Sequence, residues 1–300
     1  MEGVIKLRPT IKSYVWGGHF FQKYGKGNTI ISELWELSAR GPDSSIVVSG
    51  FYKGQRLDQV VSSEDIGPVA KKNPKIPLLI KLIDAEDNLS VQVHPDDKYA
   101  KKYEYSLGKM EMWHVISADM GAGIYVGLTQ KSSRKEIKQA LENGTILSYL
   151  NFFEVSPGDT FVIKPGTIHA IGKGVRLIEI QENSDITYRL YDYNRLGLDG
   201  KPRQLHIEKG LDVIDYSKYT PEQNKEGVLA DNKYFKVQRI DINGSLLLHA
   251  NGKSFMSFTF ISGKGYVNDM KYDVFDTFFL PYGKECLIKG TGTIILSEAQ

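Results

Sequence analysis

The chain is poor in the features that mark export, membrane insertion or nucleic-acid binding. It has one cysteine in 300 residues, Cys286, which excludes an intrachain disulfide and suits a reducing compartment. No apolar run approaches the roughly 20 residues needed to cross a bilayer. The opening Met1-Glu2-Gly3-Val4-Ile5-Lys6 is too mixed for a signal peptide. Lys and Arg number 38 against 36 Asp and Glu, so the formal net charge is +2 and calls for neither nucleic acid nor an anionic membrane as partner. Together these absences predict a soluble cytoplasmic protein with neither nucleic acid nor membrane as partner. They leave the oligomeric state open.

What is present is ordinary globular material, 41% hydrophobic and 25% charged. Tyr, Phe and β-branched residues tilt it toward β structure. Short strand-like runs separated by Gly, Pro, Asn and Asp recur at 34–39, 45–50, 77–84, 88–94, 111–117, 122–127, 160–164, 175–182, 234–242, 254–261, 277–281 and 292–297, a pattern that predicts a sandwich or barrel. Helical spacing predicts three short helices, at 96–105, 132–143 and 206–216. The polar stretch 218–233 reads as a linker, with a domain boundary near 225. The expected division is 1–225 and 226–300. Asp159-Thr160-Phe161-Val162-Ile163-Lys164-Pro165 and Asp276-Thr277-Phe278-Phe279-Leu280-Pro281 form a weak internal repeat. Four residues past the first proline stands His169; four past the second stands Glu285. The C-terminal half is therefore expected to lack a metal site.

Four side chains have metal-ligating chemistry at readable spacing: Gln92 and His94, Glu111, and His169. Gln92 and His94 are two apart on a predicted strand and so share a face. Glu111 opens another strand, and His169 follows the Pro165-Gly166 turn. Two imidazoles and a carboxylate leave a coordination position open, as in catalytic rather than structural sites. The donor set suits zinc, iron or manganese, and Gln92 ranks below the other three because glutamine is a rare zinc ligand. His19, His114 and His249 are expected to be ordinary hydrogen-bonded residues, and His206 a cap or cavity-wall residue. Val175, Leu177, Glu179 and Gln181 alternate with Ile178 and Ile180, which predicts a strand buried on both faces. A carboxylate buried there needs a partner, and Arg189 or Lys109 is the expected one.

The blocks Leu89-Ser90-Val91-Gln92-Val93-His94-Pro95-Asp96-Asp97, Gly108-Lys109-Met110-Glu111-Met112-Trp113, Pro165-Gly166-Thr167-Ile168-His169-Ala170 and Glu179 through Tyr193, with Tyr14-Val15-Trp16-Gly17-Gly18 near the start, resemble the type I mannose-6-phosphate isomerases, in particular their short bacterial members. The resemblance covers most of the chain, in order. It implies a mainly β cupin fold, a jelly-roll barrel with a few short helices and a second, smaller cupin-like β domain. It also implies a zinc-dependent aldose–ketose isomerase, one Zn2+ per chain, interconverting mannose 6-phosphate and fructose 6-phosphate. The zinc ligands it implies are Gln92, His94, Glu111 and His169. Arg189 matches the family's catalytic arginine, Glu179 an acidic residue near the substrate, and Lys109 the lysine two before the ligand glutamate. Ser90 matches a serine assigned to phosphate binding in larger relatives, and Trp16 is expected in the cavity wall. A large helical insert of those relatives is missing, with 132–143 its only counterpart.

Isomerisation moves a proton between neighbouring carbons and builds negative charge on the enediol oxygens. A Lewis-acidic cation and a guanidinium both oppose that charge, and a carboxylate can carry the proton. Arg189 is the expected stabiliser, Glu179 the expected proton carrier, and Lys109 a holder of substrate oxygens. A metal-dependent cupin oxygenase, a non-enzymatic sugar-binding cupin and an isomerase of unphosphorylated mannose are the competing readings of the same residues.

Overall fold

The computed structural model describes residues 1–72, 74–221 and 227–300. Among them antiparallel strands dominate and the helices are short, as the alternating pattern predicts. No helix of the described residues is long and apolar enough to cross a membrane. The three expected helices form as Asp97–Tyr103, Arg134–Glu142 and Ile207–Val213. Local chemistry sets their starts. The Asp96 carboxylate accepts the Tyr99 amide N–H, and Ser133 and Glu136 close a reciprocal capping box, each side chain accepting the other's amide.

Compactness divides the chain into two units, Met1–Ile11 with Leu34–Lys81 and Asn224–Gln300, and Lys12–Glu33 with Leu82–Gln223. The boundary expected near 225 lies outside the described residues. The observed grouping is not the linear 1–225 and 226–300 expected from composition, because early segments pair with late ones. Ile5–Arg8 runs antiparallel to Thr277–Leu280, with Ile5 opposite Phe279. The backbone of Asp65 and Ile66 bonds to Tyr282 and Phe255. Within the stretch read as a linker, Val228–Asp231 is a strand paired with Phe235–His249.

The first unit is an eight-stranded antiparallel sheet. Phe235–His249 and Glu285–Ala299 pair without interruption along 15 residues each. Where Met256–Val267 meets Glu285–Ala299, Gly263 faces Gly292 and Gly265 faces Gly290. A Cβ at Gly263 or Gly292 would collide with the carbonyl of Thr291 or Ser262, so only glycine lets these backbones approach so closely. The sheet encloses Phe258, Phe260, Tyr272, Phe278, Ile288 and Ile294. Phe260 stacks on Tyr272 with ring centroids 3.6 Å apart.

In the second unit, Thr160–Ile163, Glu111–Ala118 and Val175–Glu182 lie side by side. A five-stranded sheet runs in the order Tyr188–Tyr191, Val91–Val93, His169–Ile171, Gly123–Leu128, Leu150–Glu154. One apolar cluster gathers Trp16, Trp113, Val115, Ile163 and Leu177. Another gathers Val91, Val93, Ile137, Leu141, Ala170, Leu190 and Leu211, where the helices Arg134–Glu142 and Ile207–Val213 cover the five-stranded sheet. Truncating the fully buried Phe260 removes an aromatic stack as well as buried area. Phe260→Ala is expected to cost about 3–5 kcal/mol, read as a lower denaturant midpoint with an unchanged slope.

Candidate metal centre

The alternation of one short strand builds the first side of the site. Val91 and Val93 are fully buried in the apolar cluster, so Ser90, Gln92 and His94 present the other face. Pro95 ends the strand. The His94 carbonyl then accepts the amide N–H of Gly166 at 2.9 Å. Gly166 holds φ +88°, and a Cβ there would press on the Val213 carbonyl at 3.0 Å. This tie fixes the Pro165-Gly166 turn beside His94, and the chain that leaves it brings His169 directly opposite Gln92. Glu111 arrives from the other sheet, flanked in register by Ile163 and Gln181.

His94, Glu111 and His169 converge with their ligand atoms within 4.8 Å of one another, and all three are buried. His94 Nε2 lies 3.3 Å from Glu111 Oε1, and His169 Nε2 lies 3.6 Å from Glu111 Oε2. The hydrogen bonds on the far side of each ring fix the tautomers. His94 Nδ1 is 2.9 Å from the Ile186 carbonyl and His169 Nδ1 is 2.8 Å from the Thr167 carbonyl. A carbonyl only accepts, so each neutral ring carries its proton on Nδ1 and turns the Nε2 lone pair inward. Two lone pairs therefore face one carboxylate. Neither Glu111 Oε2 nor His169 Nε2 has a hydrogen-bond partner. Lys109 Nζ stands 2.7 Å from Glu111 Oε1 and 3.4 Å from His94 Nε2, which places one positive charge on one side only. Donors about 2.0–2.2 Å from a tetrahedral ion stand roughly 3.3–3.6 Å apart. The observed spacings fit a divalent cation.

Burial pushes the Glu111 carboxyl up, but the pull of Lys109, His94 and His169 overrides it and holds the group well below the ordinary carboxylate range. Burial, reinforced by the Lys109 ammonium, depresses His94 to about 4, and burial lowers His169 against the pull of Glu111. The site is thus a carboxylate and two neutral imidazoles at neutral pH. As pH falls from 6.5 toward 4, the unfolded chain protonates its histidine at position 94 and the folded chain does not, so acid favours unfolding. In the metal-free protein the melting temperature is expected to fall across that window, with a shallower fall in His94→Ala. Equal slopes for the two proteins would remove His94 from the account.

The remaining expected site residues fall into place unevenly. Arg189 lies opposite Gln92, which lies opposite His169, so the three form one row across adjacent strands and share a face. Arg189 Nη1 donates to the Gln204 carbonyl at 2.9 Å, while its half-buried Nε has no partner. Burial, then repulsion from Arg203, lowers its pKa. Val175–Glu182 is buried along its whole length, as expected. Glu179 Oε2 accepts the Trp113 indole N–H at 2.9 Å, and Lys109 Nζ stands at Glu111. Ser90 is buried on the Gln92 face. Trp16 is buried in the apolar cluster that holds Trp113, and its ring stacks on Tyr14.

Trp113 and Gln181 were not singled out in the sequence, and His206 was expected as a cap or cavity-wall residue. Trp113 sets its ring edge-on to His169, with centroids 5.3 Å apart. Its position two residues after Glu111, on the same strand face, was the available signal. His206 caps Ile207–Val213 and pins Arg189 from both sides. Its Nδ1 accepts the Arg189 amide at 3.3 Å and its own amide donates to the Arg189 carbonyl at 2.7 Å. Gln181 pairs with Glu111.

The model of the family described as "Phosphomannose isomerase type I, catalytic domain" matches residues 4–114. A mannose-6-phosphate isomerase of Streptococcus mutans is 37% identical over 86% of this chain and 85% of its own length. Another, from Bacillus subtilis, is 35% identical over 97% of this chain and 98% of its own. The crystal structure of a Bacillus subtilis mannose 6-phosphate isomerase superposes with a TM-score of 0.86 at 31% identity, covering 99% of this chain and all of that one. Identity at this level over nearly full length, on a shared cupin fold, places the chain in the type I mannose-6-phosphate isomerase family of aldose–ketose isomerases.

Proposed function

We propose that this chain interconverts mannose 6-phosphate and fructose 6-phosphate through an enediol, using one zinc ion held by His94, Glu111 and His169 with Gln92 as fourth donor. The convergence of two inward lone pairs on one buried carboxylate carries the proposal. Among the described residues it is the single group of His, Cys, Asp or Glu so placed, which makes Lys12–Glu33 with Leu82–Gln223 the catalytic unit. Nitrogen and oxygen donors without sulfur suit zinc at a catalytic position. Gln92, in register with His169, shares its face, which supports it as the fourth donor. When bound, the ion supplies Lewis-acid stabilisation for negative charge on the sugar oxygens.

The chain's own residues do the rest. Arg189 extends the row His169–Gln92–Arg189 and carries an unpartnered Nε. Its guanidinium donates to the enediol oxygens as charge builds there, while Gln204 and His206 hold it in place. Glu179 and Lys109 flank Glu111. Lys109 holds a substrate oxygen. Glu179 is oriented through one oxygen by Trp113 and moves the proton between the two carbons. Ser90 and Trp16 complete the substrate contacts, Ser90 toward the phosphate.

Chelation is expected to abolish formation of fructose 6-phosphate in a coupled assay, and zinc to restore it. Undiminished turnover after verified metal removal contradicts the metal's part. Arg189→Ala and Glu179→Gln are each expected to keep bound metal and the melting temperature while kcat falls about 10²-fold or more. Glutamine at 179 can still accept the Trp113 indole bond. Loss of metal in either variant reassigns that residue to holding the site together.

A further inference from the structure

Buried polar atoms in folded proteins nearly always find partners. Gln181 breaks that rule on one atom. Its side chain is fully buried. Its Nε2 donates to the Glu182 carbonyl at 2.9 Å and to the Ser184 carbonyl at 2.6 Å. Two carbonyl acceptors settle the orientation of the amide, because a flip would set Oε1 against both. Oε1 is thereby fixed, and it receives no hydrogen bond. Holding an amide oxygen in place, out of water and unsatisfied, is costly unless something that binds later repays it.

Its placement says what that something is. Gln181 stands directly opposite Glu111, and residues opposed in an antiparallel pair share a face with Cβ atoms about 4.5–5.5 Å apart. Oε1 thus belongs to the same side of the sheet as the Glu111 carboxylate. None of the neighbouring cluster donates to it: the Glu111 oxygens and both inward Nε2 atoms are acceptors, and the Lys109 ammonium is directed at Glu111 and His94. The missing donor must arrive with a ligand. The geometry points to Gln181 Oε1 as the acceptor for a hydroxyl of the bound sugar, a specificity contact beside the metal. This rests on the isomerase reading. The same O–H chemistry is offered by a water on the ion, and the two sources separate kinetically. A sugar hydroxyl is felt in substrate binding, a water in turnover.

Gln181→Met keeps the length of the side chain and removes the acceptor. It is expected to raise KM for mannose 6-phosphate ten- to a hundredfold, with kcat within threefold, bound metal unchanged and the melting temperature preserved. Unchanged KM overturns the assignment, and so does a fall confined to kcat, which gives the contact to water. The wild-type enzyme provides an arm that does not depend on folding of the variant. Among mannose 6-phosphates lacking the hydroxyl at C2, C3 or C4, tested as competitive inhibitors, one is expected to bind at least tenfold more weakly than the others. Equal inhibition by all three overturns the proposal whatever the variant does. Wild-type enzyme that fails to convert mannose 6-phosphate sinks the isomerase reading and this contact together. Conversion with an unaltered Gln181→Met sinks the contact alone.

Discussion

A carboxylate with no exposed surface, faced by two imidazole lone pairs, is the constraint on which the second unit is built. Glu111 is ionised at that depth, and an ionised group removed from water must be paired. Lys109 pairs it from one side. The other side faces two inward Nε2 atoms, because the Ile186 and Thr167 carbonyls have already claimed the Nδ1 protons of His94 and His169. Those two backbone contacts convert flexible rings into oriented donors, the outer-shell device that tunes metal sites. Trp113 against His169, itself oriented by Glu179, extends the same support outward. The site is preorganised for a cation, and the strands that carry it are held by ordinary ladder bonds and apolar burial on their opposite faces.

That division of labour explains what the sequence could reveal. Period-two alternation placed Gln92 and His94 on one face because Val91 and Val93 occupy the other, and the structure buries both valines in the apolar cluster. The Val175–Glu182 run, apolar on both faces, is buried throughout. Caps legible as Asp96 and Ser133 do start helices. These features live within a few residues of chain. What stayed hidden depends on which strand lies beside which. Nothing local says that His169 lands opposite Gln92, or Gln181 opposite Glu111. Nor does anything local say that Glu179 lands opposite Trp113, whose indole N–H reaches it. The interleaving of Met1–Ile11 and Leu34–Lys81 with the C-terminal stretch was hidden for the same reason, since composition carries no information about pairing across more than 200 residues.

The internal repeat shows how little residue type alone decides. Thr160–Ile163 and Thr277–Leu280 are both strands that end just before or at a proline turn. Beyond the first turn lies His169, buried against Glu111. Beyond the second lies Glu285, and the structure sets His249 beside it, with Nε2 3.2 Å from Oε2. The separation is almost that of His94 and Glu111, at 3.3 Å. Yet the side chains of His249 and Glu285 are 49% and 61% exposed, against 1% and 0% for His94 and Glu111. Water solvates the exposed pair, so its contact is weak and asks for no third party. Burial strips that option from the other pair and makes a cation the natural way to hold imidazole and carboxylate face to face. The same two residue types at the same distance are a surface contact in one unit and a metal centre in the other, and solvent is what separates them.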